Sequence, residues 1–357
     1  MVKVSEAVPA VGVLLAELLA ACAGGRLAPL VRVFHGAADV GAALVDAAVG
    51  KPDHVLFVGS VAVGRKVAVA AAAGGVGCTL ELGGKDAAIV CADADVPSAV
   101  MAVAAGAFYH AGQCCVGVER VFVDAAVYDE FVAAMVKHVK ENVSYGYTPA
   151  PVGGGTTDEG DAGDTRAAEP DATYGVATVA KQLTVIQEHV DAAVAAGATV
   201  LTGGKADGAF YQPTVLTFPA PTSTPALDVE TFGPLLPIVR VASADAAVAA
   251  ANATAYGLSA YIFTADTAAG GRLARRMATG GVVINDVFLH GLHSAVPFGG
   301  CRASGVGRTG GKEGLLGWTT TQTVVTAAAG VADDWAMRRS YEAKLAALRA
   351  LYGRATA

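Results

Sequence analysis

A short apolar run, a small-residue turn and then an alanine-rich helix recur along this chain, and that order constrains its fold more than any other feature. Val55-Leu56-Phe57-Val58 reads as a buried strand, Gly59-Ser60 as the turn, and Val61 to Ala73 as a helix closed by Gly74-Gly75. Thr79 to Leu82 and Ala88 to Cys91 are the next strands. Ser98 is the expected N-cap of a helix running to about Ala111, which Gly112 would terminate. Val121-Phe122-Val123 is again a strand and Tyr128 to Lys140 a helix. Further on, Gln182 to Ala196 reads as a helix ended by Gly197. Val200-Leu201, Leu236 to Val241, Tyr261 to Phe263 and Val282 to Ile284 read as strands. Ahead of all these, residues 9–23 and Ala42 to Val49 have helical character. Alternation of this kind points to an α/β fold with a largely parallel sheet.

Other features narrow the class. At 357 residues the chain suits two domains or one large one. The most apolar early stretch, Val11 to Cys22, carries Glu17, and no run approaches the ~18 uncharged residues that a spanning helix needs. A net charge of −7 without long charged blocks argues against nonspecific nucleic-acid binding. Six cysteines in a chain this long suit a reducing compartment better than a disulfide framework. The N-terminus lacks signal-peptide form, so the cytosol is the default expectation. Residues 146–171, with Gly153-Gly154-Gly155 and a run of acids, read as a flexible acidic insertion. Thr321 to Thr326 is β-prone, and Asp334 to Tyr352 reads as a charged helical tail.

The chemistry-bearing residues cluster in two runs. Gly112-Gln113-Cys114-Cys115 follows Leu80-Glu81-Leu82-Gly83-Gly84-Lys85. A thiol past a Gly-Gln turn and a carboxylate beside a Gly-Gly-Lys turn supply both halves of a covalent reaction: Cys115 attacks a carbonyl, and Glu81 activates the water that releases the product. Taken singly, Cys115 also fits a buried structural thiol and Glu81 an ordinary surface acid. Two decoys can be set aside. Gly305-Val306-Gly307-Arg308-Thr309-Gly310 matches a dinucleotide fingerprint literally, yet it follows a loop and lacks an acid some twenty residues on. His290, His293 and Cys301, spread over a glycine-rich loop, make a weak zinc site, and no metal is expected.

Phe108 to Cys115 with Glu119-Arg120 beyond, and Leu80 to Lys85, resemble the cysteine and glutamate signatures of the aldehyde dehydrogenases. Glu230-Thr231-Phe232-Gly233-Pro234 and Pro297-Phe298-Gly299-Gly300 with Ser304-Gly305 are similar to two further motifs of that family, in the same order. The resemblance implies an aldehyde dehydrogenase-like α/β fold. A partial Rossmann-type nucleotide-binding domain would span residues 1–82 and an α/β catalytic domain 83–317. An oligomerisation-type strand would follow at 318–330 and a helical tail at 331–357. It implies Cys115 as nucleophile, Cys114 as a bystander in the substrate pocket, Glu81 as general base and Phe298 as a pocket wall. Glu230 and Phe232 would meet the nicotinamide ribose side of the cofactor. Gly59 and Ser60 belong to the strand–turn–helix that meets the pyrophosphate, where a helix N-terminus offers amide donors. Lys3 and Glu6 match positions that hold the adenosine ribose; a carboxylate there repels a 2′-phosphate, so NAD is favoured over NADP. As an exposed pair near a terminus, Lys3 and Glu6 fit a plain salt bridge equally well.

Within the family, Gly84-Lys85-Asp86-Ala87, Ile284-Asn285-Asp286 and the Lys3-Val4-Ser5-Glu6 start most resemble the plant family-22 type. The resemblance begins at residue 3, whereas relatives carry a long segment before it with strands, part of an oligomerisation arm and a Pro-Trp-Asn motif. That motif is absent here, and its asparagine is the family's second oxyanion donor, so the expectation is a truncated chain. The implied function is NAD(P)+-dependent oxidation of a small-molecule aldehyde to its acid through a thiohemiacetal and thioester, impaired by the missing segment. The implied assembly is a homo-oligomer, or a partner covering the truncated face. The alternative is a non-catalytic structural subunit derived from such an enzyme. A redox role for Cys114-Cys115 ranks lower, because adjacent cysteines close a strained ring.

Overall fold

The computed structural model of the protein describes all residues except 47, 51, 148–171, 327–340 and 356–357. Residues 1–318 form one compact unit and residues 319–357 a second. The first unit opens with β1 (Val2–Lys3), α1 (Pro9–Ala21), β2 (Val33–Phe34) and α2 (Ala38–Val45). β3 (His54–Val58), α3 (Val61–Ala73) and β4 (Gly77–Glu81) follow. Then come β5 (Ala87–Val90), α4 (Val96–Phe108), β6 (Arg120–Asp124), α5 (Tyr128–Asn142) and α6 (Lys181–Ala195). β7 (Thr199–Thr202), β8 (Ala206–Asp207), β9 (Phe210–Tyr211) and β10 (Thr214–Phe218) precede α7 (Pro225–Asp228) and β11 (Leu235–Val241). The unit ends with α8 (Ala244–Asn252), β12 (Ser259–Phe263), α9 (Thr267–Ala274), β13 (Gly281–Ile284), α10 (Leu289–Leu292), β14 (Gly305–Val306) and α11 (Gly311–Leu316).

The core is a seven-stranded sheet in the order β13-β12-β5-β6-β11-β10-β7, with β7 alone antiparallel. Its central strands β12, β5, β6 and β11 are buried on both faces, as parallel crossovers require, while the edges β7 and β13 are partly exposed. Side-chain alternation divides the apolar set cleanly. Ala88, Val90, Val121 and Val123 pack with α4 and α5, whereas Ala87, Ile89 and Phe122 pack with α6 and α8. Outside that sheet the strands form smaller ones. β1 pairs with β2 in parallel, and a three-stranded sheet runs β14-β4-β3. β3 is an edge strand there, and its Leu56 and Val58 are exposed.

The segment joining the three-stranded sheet to the large one positions the site. Residues 79–91 are buried without a break, and the glycine turn at 83–84 passes through the interior between β4 and β5. The expected boundary at residue 82 falls at this crossover.

Several expected boundaries move. α4 is capped at Asp95 instead of Ser98, because Pro97 belongs in the first helical turn; Ser98 Oγ donates to Asp95 Oδ2 at 2.6 Å. α4 stops at Phe108, three residues before Ala111, where Tyr109–Gly112 tightens into a 3-10 turn. α2 runs Ala38–Val45 instead of Ala42–Val49. The β-rich segment 214–218 and the small hairpin before it read as no element in the sequence. The β-prone Thr321–Thr326 forms no strand. A helix spans Tyr341–Ala355, so the first part of the expected tail, like residues 148–171 of the acidic insertion, lies outside the described residues.

Candidate active site

Cys115 sits in the turn after the 3-10 segment, half-buried, with the Gly117 amide donating to the Cys114 carbonyl at 2.9 Å. His110 and Ala111 adopt left-handed φ of 51° and 58°, and Gly112 follows at 69°. That strained path is held by packing: a side chain on Gly112 would overlap the Gly233 carbonyl, so the cysteine turn lies directly on the Glu230–Pro234 loop. Gln113 fixes the turn from the other side. Its Nε2 donates to the carbonyls of His110 and Val176, and its Oε1 accepts from the Thr178 amide at 2.8 Å.

The glutamate crossover completes the convergence. The Gly84 amide donates to Glu230 Oε1 at 3.0 Å, and a Cβ on Gly83 would overlap Glu230 Oε2. An added Cβ on Gly84 would stand 3.0 Å from the Cys115 carbonyl. Thus Gly83-Gly84 touches both the cysteine turn and Glu230. Burial, first, and the Glu119 charge, second, push the Glu230 carboxyl up to about 7.

Glu81 ends β4, opposite Gly305 of β14, and is buried. Its Oε1 lies 3.5 Å from Thr309 Oγ1, while its Oε2 is buried without a partner. Desolvation pushes its carboxyl up to about 7 against the opposing pull of the Arg308 guanidinium. Phe298 pairs with Thr309 through two backbone bonds of 2.7 Å, so Phe298 and the neighbour of Glu81 are adjacent. The His290 ring lies 5.5 Å from that of Phe298.

Cys114 and Cys115 titrate together: the Cys115 thiol draws Cys114 down to about 7, and Cys114, with burial, pushes Cys115 up. The physical content is a pair that gives up one proton readily and holds the second.

Beneath this surface lies a charged network that the sequence did not disclose. Lys85 Nζ meets Glu119 Oε2 at 2.6 Å and donates to Thr231 Oγ1 at 3.0 Å. Glu119 also accepts from the amides of Thr231 and Phe232, which holds Phe232 at its left-handed φ of 51°. Arg120 donates to the carbonyls of Lys85, Leu227 and Ala251. The position of Glu119 beside the cysteine signature was the available signal for this network.

The remaining residues sit around β1 to β4. Ser60 caps α3, its Oγ accepting from the Val63 amide at 3.4 Å, and the Gly59 amide donates to the Glu81 carbonyl at 3.1 Å. Lys3 and Glu6 form an ion pair of 3.3 Å on the β1–β2 side. Of the metal-like residues, Cys301 Sγ donates to the Ala278 carbonyl and His290 Nε2 meets Ser259 Oγ at 2.6 Å. The rejected glycine run forms β14 and a turn, antiparallel to β4. Among the described residues no helix is long and apolar enough to cross a membrane.

Residues 1–324 match the aldehyde dehydrogenase family. The chain is 37% identical over 290 residues to 4,4'-diapolycopene aldehyde oxidase of a Methylomonas species, covering 81% of this chain and 50% of that protein. It superimposes on the NAD-dependent aldehyde dehydrogenase of Sinorhizobium meliloti with a TM-score of 0.77 at 30% identity, covering 88% of this chain and 58% of that one. It also superimposes on an NADP-bound glyceraldehyde-3-phosphate dehydrogenase of Methanocaldococcus jannaschii with a TM-score of 0.75 at 30% identity, covering 88% and 64%. The chain spans about half the length of the curated relatives it matches. With its α/β fold and its four motifs drawn onto one crossover, this chain belongs to the aldehyde dehydrogenase family.

Proposed function

We propose that this chain oxidises an aldehyde to its carboxylic acid with a nicotinamide cofactor, using Cys115 as nucleophile and Glu81 as general base. The observation that carries the reading is the joint contact of Gly83-Gly84 with the cysteine turn and with Glu230, one step from Glu81. Cys115, ionised while Cys114 keeps the shared proton, adds to the carbonyl carbon to give a thiohemiacetal. The backbone amide of Cys115 is the donor suited to the developing oxyanion. Once the carbon is at the thioester level, Glu81 takes a proton from water, which attacks and releases the acid and the thiol. A carboxyl near 7 suits that task, since it is ionised often enough to accept the proton and basic enough to pull it.

The residues present fit a nicotinamide dinucleotide. The carboxylate that would hold it, Glu230, is packed against Gly83 and fixed by the Gly84 amide at 3.0 Å. Glu230 would hold ribose hydroxyls beside Phe232, the amides at the start of α3 after Gly59-Ser60 would meet the pyrophosphate, and Lys3 with Glu6 the adenosine ribose. When bound, the cofactor accepts the hydride that the thiohemiacetal carbon loses. The Glu6 carboxylate supports NAD over NADP, since a 2′-phosphate there would meet a like charge. Within the family, Gly84–Ala87 and Ile284–Asp286 support a place beside the plant family-22 type. Exposed Leu56 and Val58 on the β3 edge support assembly with further copies or a partner.

Cys115→Ser is expected to abolish NADH production from aldehyde while leaving NAD binding intact. Unchanged NADH production by that variant would overturn the assignment, and absence of NAD binding by the unaltered chain would favour a structural subunit.

A further inference from the structure

We infer that Arg308 and Thr309 are positioning residues for Glu81: the Thr309 hydroxyl anchors one carboxyl oxygen, the Arg308 guanidinium sets a positive charge beside it, and the second oxygen is left free to take a proton. The inference rests on the proposed role of Glu81 as general base and adds the groups that aim it.

The asymmetry of the carboxylate is the starting point. Oε1 lies 3.5 Å from Thr309 Oγ1, whereas Oε2 is buried with no hydrogen-bond partner among the described residues. A buried carboxyl oxygen without a partner is costly, and a position kept that way suits an atom whose partner arrives with the reaction. The Thr309 hydroxyl has one proton and two acceptors in reach, because its Oγ1 also lies 3.4 Å from the Phe298 carbonyl oxygen. An ionised Glu81 draws that proton as a charge-assisted bond, and a protonated Glu81 releases it to Phe298. The hydroxyl therefore follows the charge state of the base without any movement of the main chain.

The anchor is rigid. Thr309 and Phe298 exchange two backbone bonds of 2.7 Å, and Gly305 pairs with Glu81 across β14 and β4, so the base and its partner belong to one strand-paired clasp. Arg308 is fixed on the same clasp, with its Nη1 donating to the carbonyls of Gly300 at 2.9 Å and Gly307 at 2.7 Å. An added Cβ on Gly299 would stand 2.9 Å from Glu81 Oε1 and 3.1 Å from Arg308 Cδ, so the carboxylate and the arginine stem converge on the one space that the glycine leaves open. Arg308 is the cation of this clasp, its Nη1 held by those two carbonyls while its charge pulls the Glu81 carboxyl down. From residues 298–300 the neighbours are Phe298 and two glycines, and from β3 the contact is the Gly59 amide on the Glu81 carbonyl. Arg308 and Thr309 both pull the carboxyl down, against desolvation that pushes it up to about 7.

The test is a titration of Glu81 itself in the full chain, by NMR with 13C at the glutamate side-chain carboxyl, the Glu81 signal being assigned by its loss in Glu81→Gln. The unaltered protein should titrate near 7. Arg308→Gln should raise the midpoint by roughly one pH unit, the scale for losing one nearby opposite charge. Thr309→Val should raise it by less, and Thr309→Ser should restore it. In turnover, Thr309→Val should move the acidic limb of kcat upward in pH and leave KM for the aldehyde unchanged. Midpoints unaltered in both Arg308→Gln and Thr309→Val, or a Thr309→Ser that behaves as Thr309→Val, would overturn the inference. Full turnover by Glu81→Gln would instead sink the general-base role and leave the titration result standing, so the two failures are separable.

Discussion

The Gly84 amide and the Glu230 carboxylate meet at 3.0 Å across 146 positions of sequence, and that bond ties the crossover that follows Glu81 to the Glu230–Pro234 loop. Gly83, next in line, has no room for a side chain against Glu230. Gly83→Ala is therefore expected to displace the Glu230 carboxylate and weaken NAD binding roughly ten- to a hundred-fold, the scale of one lost charged hydrogen bond of about 1.5–3 kcal/mol. Isothermal titration with NAD on the folded variant checks this, and unchanged affinity would remove Glu230 from the cofactor site.

Breaking the buried pair beneath the site should cost much more stability than any surface change. Lys85 is almost fully buried and its charge is met by Glu119, which also holds two amides of the Glu230 loop. Glu119→Gln is expected to destabilise the fold by about 3–5 kcal/mol, because a buried ammonium then lacks its counter-charge. Urea denaturation of the variant, alone and combined with Lys85→Met, reads this directly. The double variant should recover part of the loss.

Cys114 should govern the reactivity of its neighbour. Cys114→Ala removes the neighbour that most raises the Cys115 thiol and leaves its desolvation in place. Alkylation at Cys115 at pH 7, located by mass spectrometry, should quicken roughly ten-fold, because the thiolate is the reactive form. An unchanged rate would make Cys114 the bystander that the family resemblance implies.

Much of the fold was legible because buried strands announce themselves as apolar runs between small-residue turns, as at Val55–Ser60 and Ala88–Cys91. The errors have local causes. Pro97 admits one more helical turn ahead of Ser98, and the left-handed His110 and Ala111 are imposed by the contact with Gly233, which no neighbour in sequence reveals. Of the site, the thiol and the glutamates stand in recognisable runs. The supporting network does not, because Lys85 and Glu119 are 34 positions apart and Thr231 lies 146 from Lys85. Thr309 stood inside the glycine run set aside as a false fingerprint, and only the β14–β4 pairing brings it to Glu81.

The two raised carboxyls also shape stability against pH. Glu81 and Glu230 rise from an ordinary 4.5 to about 7 in the folded protein, so folding favours their protonated forms. Their contribution is fully present below 4.5 and is lost as pH rises through about 7. Stability without cofactor should therefore fall across that window, and Glu81→Gln and Glu230→Gln should each flatten the slope. Melting temperatures collected from pH 4.5 to 8 measure it, and a slope identical in both variants would place these carboxyls in solvent.

The central claim is that acyl transfer passes through Cys115 and is released by Glu81, and trapping the intermediate tests it most directly. Glu81→Gln, incubated with an aldehyde and NAD, quenched and digested, should carry the acyl mass on the peptide holding Cys115, and Cys115→Ser should carry none. Acyl mass on another residue, or an unmodified Cys115 alongside NADH release, would contradict the account.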